Sequence, residues 1–96
     1  MPVGGSAYHT FSVTQTGQVD LTLTAAAPPS TIVMGLGIGV VSDANCVDVA
    51  GASGRAQPGA SAQVSGTVSP GTLCAEIHDV GNQSAPVSYT LSVTHP

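Results

Sequence analysis

The chain has 96 residues and is poor in charge and in aromatics: charged side chains make up 6% of it, aromatics 3%, and tryptophan is absent. There is no lysine. Arg55 is the only base, set against Asp20, Asp43, Asp48, Glu76 and Asp79, which gives a net charge of −4. One arginine cannot neutralise a row of phosphates, so nucleic acid is excluded as a partner. An anionic membrane surface finds no polybasic segment to attract. No strongly apolar run exceeds about ten residues, short of the ~20 a spanning helix needs, so no membrane insertion is expected. Apolar residues nowhere recur at helical spacing over three turns, which removes the helix-borne motifs as a group. The opening MPVGGS has no basic n-region and no apolar core, so no signal peptide is read in it.

What is present is alternation. A chain of this size folds as one domain around one core. Period-two patterning recurs along it, so the expected fold is an all-β antiparallel two-sheet sandwich of about seven strands, jelly-roll-like. Residues 1–6 read as a lead-in and residues 7–96 as the single domain. Strand AYHTFSVTQT puts Phe11 and Val13 on one face, and QVDLTLTA sends Val19, Leu21, Leu23 and Ala25 inward. After the prolines of APPS, which cannot donate to a ladder, TIVMGLGIGVVS alternates Ile32, Met34, Leu36, Ile38 and Val40 with a face carrying Gly35, Gly37 and Gly39. The spacing G-x-G-x-G, without a lysine or a following helix, is not a phosphate loop. Glycine on a strand face marks a close approach, and the expected cover is Tyr8 or a loop.

SDAN reads as a turn, CVDVA as a short strand with Val47 and Val49 inward, and GASGRAQPG as the longest loop. ASAQVSGTV places Ala60, Ala62, Val64 and Val68 on one face. TLCAEIHDV turns Leu73, Ala75 and Ile77 in and Cys74, Glu76 and His78 out. The last strand, VSYTLSVTH, sends Val87, Tyr89, Leu91 and Val93 inward.

Two cysteines in a small, nearly uncharged Ser/Thr-rich chain read as one disulfide, Cys46–Cys74, made in an oxidising, extracytoplasmic compartment. Two buried thiols are the plain alternative. A second alternative is a zinc site in which Cys46, Asp48, Cys74, Glu76 and His78 share a face. Calcium is the one cofactor the sequence offers, through turn oxygens of Asp43, Asn45 and Asp48 or of Asp79 and Asn82; the same residues serve turns by hydrogen-bonding backbone. His78 and Asp79 are neighbours on a strand and point apart, so they form no dyad. Without a nucleophile elbow either, no catalytic residue is assigned.

The segments VGGSAYHTFSVTQTGQVDLTLTA, MGLGIG, GTLCAEIHDVGN and PVSYTLSVTHP together resemble a family of small β-domains in bacterial secreted proteins and lipoproteins. They are similar to the bacterial pre-peptidase C-terminal domains. Tyr89, Leu91 and Val93 fit that family's last strand, and the resemblance implies a sandwich fold and a Cys46–Cys74 disulfide. The acidic calcium cluster of such domains has no match in MPVGGSAYHT. The expected function is a non-catalytic accessory or adhesive module of a secreted protein or lipoprotein, acting on an extracellular ligand. Self-association into an extracellular structural subunit, such as a filament protomer, is the alternative, and a small hydrolase is third.

Overall fold

The computed structural model describes residues 1–96, the side chain of Ala50 excepted. Seven strands follow one another: β1 (Ser6–Val13), β2 (Gly17–Ala27), β3 (Met34–Ser42), β4 (Asn45–Ala56), β5 (Val64–Val68), β6 (Gly71–Asp79) and β7 (Ser88–Thr94). They form two antiparallel sheets, one ordered β1-β6-β3-β4 and the other β5-β2-β7. Only β3 and β4 are consecutive strands of one sheet, and every other connection crosses between the sheets. This winding ties both layers together from first strand to last.

The alternation sets the core. Val19, Leu21 and Leu23 of β2 pack against Met34, Leu36 and Ile38 of β3 and Leu73, Ala75 and Ile77 of β6, each no more than 2% exposed. Each of the larger side chains contributes about 1.5–3 kcal/mol by leaving water. Val87 is buried as expected, and Tyr89, Leu91 and Val93 pack against the core's margin.

Four assignments change. In β2 the register shifts between Leu23 and Ala25, so Ala26 turns inward (4% exposed) and Ala25 outward; an extra residue in one strand reverses all facing beyond it. Val40 and Val47 keep the facing of their strands and pair with each other, yet they are 42% and 51% exposed. The opposing three-stranded sheet does not cover this end of the hairpin. Residues 51–56 are strand rather than loop, pairing from Gly37↔Ser53 to Met34↔Ala56. Ala60 and Ala62 lie outside β5 and are exposed.

The lead-in bridges one end of the sandwich. The Met1 ammonium donates to the Val87 carbonyl at 2.7 Å, and Val87 N–H donates back to Met1 O at 2.9 Å. Gly5 O accepts from Asp79 N–H at 3.1 Å. Ser6 already belongs to β1.

Candidate functional site

The outer face of the four-stranded sheet is built on the glycine stripe of β3. Cys46 and Cys74 form the disulfide, with a Cα–Cα separation of 5.9 Å. Their strands, β4 and β6, are not neighbours, because β3 runs between them. Two strand spacings in a flat sheet come to about 9.5 Å, so the start of β4 is drawn over β3. Gly39 lies beneath: a Cβ there would collide with the carbonyl of Val47. At the hairpin's tip Asp43 and Ala44 both have positive φ (50° and 61°) between paired Ser42 and Asn45, the two-residue turn that suits the twist of a hairpin. The Tyr8 hydroxyl of β1 donates to the Ala44 carbonyl at 2.7 Å. Stapled by the disulfide and held by Tyr8, the hairpin tip lies on the sheet.

Beyond the bridge β4 must return to the plane of its sheet. Ser53 opposes Gly37 while Asp48 opposes Gly39, leaving residues 49–52 opposite Ile38 alone. Gly51, at φ +80°, supplies the left-handed residue for this bulge. The other two stripe glycines lie under side chains: the His78 ring over Gly35 and the Asp48 carboxylate over Gly37. The cover is thus His78, Asp48 and the chain at Val47. Tyr8 latches the hairpin instead.

Directly opposed residues share a face, so the register gathers the chain's scarce polar chemistry here. Ser6, His78, Gly35 and Arg55 make one row, and Tyr8, Glu76, Gly37 and Ser53 the next. Asp48 stands beside the second row, above Gly37. Glu76 Oε1 and His78 Nδ1 are joined by a hydrogen bond; the His78 side chain is 43% exposed and that of Glu76 17%. Beside them is a hollow of about 480 Å³ lined by Ser6, Tyr8, Asn45, Asp48, Glu76 and His78. The Tyr8 ring is exposed at its rim.

The residues singled out from sequence divide. Cys46 and Cys74 are joined, which leaves no thiolate for zinc, and Cys74 is fully buried under the hairpin rather than open on a sheet surface. Asp48, Glu76 and His78 do share one face. Asp43 and Asn45 sit at the hairpin turn, where Asn45 Nδ2 donates to Asp43 O at 3.2 Å. Asp79 and Asn82 lie at the other end of β6. Among the described residues no three His, Cys, Asp or Glu side chains converge as metal ligands. The i, i+2 spacing of Glu76 and His78 puts them on one face, as the zinc alternative requires, but the structure bonds them to each other instead.

Asp79 is an anchor for backbone. Its carboxylate accepts from Gly4 N–H and Gly81 N–H, each at 2.8 Å, and from Gln83 N–H at 3.3 Å. Those bonds, Gly4's first and Gly81's next, hold its pKa below the ordinary carboxylate value. A carboxyl depressed in the folded state stabilises above its unfolded pKa of about 3.9 and loses that contribution as pH falls through the lower folded value. Asp79→Ala is therefore expected to lower Tm near neutrality, with the gap from the parent narrowing as pH falls below the ordinary carboxylate range. Melting curves from pH 7 to pH 2.5 check this, and a gap that persists unchanged in acid contradicts it.

Comparison with protein-family models, with curated proteins and with solved structures gives no match to the chain.

Proposed function

We propose that the chain is a non-catalytic, extracytoplasmic binding module, part of a bacterial secreted protein or lipoprotein, and that it binds through the outer face of its four-stranded sheet. One observation carries the reading. In a chain with 6% charged residues, Arg55, Asp48 and Glu76, together with His78 and an exposed tyrosine ring, are gathered on one face over a bare glycine stripe. The disulfide accords with an oxidising, extracytoplasmic setting. The resemblance of the strand motifs to pre-peptidase C-terminal domains supports the same assignment.

The chemistry of the face narrows the ligand. It offers hydrogen-bond donors from Arg55 and His78 and acceptors from Asp48 and Glu76. Two carboxylates against one guanidinium reject a polyanion, while mixed donors and acceptors around an exposed ring suit a neutral, hydroxyl-rich polymer. The ligand class is an uncharged polysaccharide. Affinity electrophoresis in gels containing dextran, xylan or mannan tests this. Retardation by at least one of them is expected, weakened about tenfold, or ~1.4 kcal/mol, by Tyr8→Ala and retained in Tyr8→Phe. Equal mobility in every gel overturns the reading. So does hydrolysis of the polymer that disappears in His78→Ala, because the Glu76–His78 pair would then be reacting.

A further inference from the structure

The sandwich has two unlike sides. On one, β4 packs beside β5, and both edges are blunted. β4 carries a four-residue bulge and Arg55, and β5 is only five residues long with Gly66 at its centre. Ala52 and Gly66 close the layers tightly there: a Cβ at Gly66 would stand 3.0 Å from that of Ala52. On the other side lie β1 and β7, the remaining edges of the two sheets. His9 Nε2 and the Tyr89 hydroxyl meet across them at 2.8 Å, and Phe11 and His95 have ring centroids 5.2 Å apart.

This second side lacks the protection that charge or proline gives an edge. β1 pairs with β6 over all eight of its residues without a bulge. Neither β1 nor β7 contains lysine, arginine, aspartate, glutamate or proline. Open, regular, uncharged edges are those to which another strand adds. Between the layers here is a hollow of about 470 Å³ lined by His9, Ala75, Tyr89, Leu91 and Val93, so the core itself is incompletely closed on this side.

We propose that the β1/β7 side docks a second copy of this chain about a two-fold axis normal to the sheets. Such an axis turns each edge antiparallel to its own copy, in both layers at once, and extends both sheets and the core across the contact. Registers centred on His9 or Thr10, in the middle of β1, keep inward side chains inward on both copies. With no lysine, arginine, aspartate or glutamate on either edge, no such charges face one another. Eight residues at ~3.4 Å each give a face about 27 Å long, and the molecule is 19 Å thick. That is about 500 Å² per copy and about 1,000 Å² in all, the size at which specific interfaces begin. The contact is independent of what the outer face binds.

Sedimentation velocity over about 5 to 500 µM, the range in which weak self-association shows, is the test. The 9.4 kDa chain is expected to convert with rising concentration to a species of twice its mass and no larger. Thr10→Lys on β1 and, separately, Ser92→Lys on β7 are expected to raise the dimer Kd at least tenfold, while Thr67→Lys on the blunted β5 edge leaves it within twofold. Far-UV circular dichroism confirms that each variant is folded. A monomer throughout, a series growing past the dimer, or dissociation by Thr67→Lys equal to that by Thr10→Lys overturns the proposal.

Discussion

Gly39→Val is expected to cost about 3 kcal/mol, more than a change at either other stripe glycine, read as a shift in the urea midpoint at constant m-value. The atoms that a side chain at position 39 would meet are the Val47 carbonyl and the Asp48 Cα. Those are backbone, fixed by the disulfide one residue earlier in β4 and by the pairing of Asp48 with Gly39. They cannot yield unless the hairpin lifts. Gly35 lies under the half-exposed His78 ring, which is paired to Glu76, so Gly35→Ala is expected to cost less by displacing that ring. Gly37 faces the end of the exposed Asp48 side chain, which can swing aside. Its substitution by alanine is expected to stay within about 1 kcal/mol. An order of Gly37 above Gly39 would contradict the placement of the hairpin.

Removing the disulfide is expected to be comparably severe. The bridge closes a separation of 28 residues, for which chain entropy gives about 3.5 kcal/mol. The paired substitution Cys46→Ser and Cys74→Ala should lower stability by about that amount. Reduction of the parent should raise its intact mass by about two mass units. The hairpin tip would then be held to the sheet by Tyr8 and the β3 ladder alone, so binding through the outer face should weaken together with stability. Loss of stability with unchanged binding would detach the ligand face from the hairpin's position.

Which parts of this arrangement the sequence discloses follows from the range of each signal. Side-chain facing in β3, β6 and β7 is legible because a strand's period is two and their apolar residues are large. The run Leu23-Thr24-Ala25-Ala26 hides a bulge, since alanines give no contrast between faces. Gly51 to Ala56 is so rich in small residues that it reads as a loop, and its pairing with β3 depends on a partner some twenty residues away. Val40 and Val47 face as their alternation requires; their exposure is a property of where the other sheet ends. The glycine stripe announces a close approach. That the approaching group is β4 itself follows only from the bridge across β3, because two outward cysteines on separate strands do not say how many strands lie between them.

The claim on which the outer face depends is that position 39 of the stripe is bare because a stapled hairpin lies on it. A double-mutant cycle between Gly39→Val and the paired cysteine substitution measures this directly, with both stabilities taken from urea unfolding. If the staple presses Val47 against Gly39, freeing it lets the hairpin lift, and Gly39→Val should cost at least about 1 kcal/mol less without the disulfide than with it. Additive costs, equal within about 0.5 kcal/mol in the two backgrounds, would contradict the account.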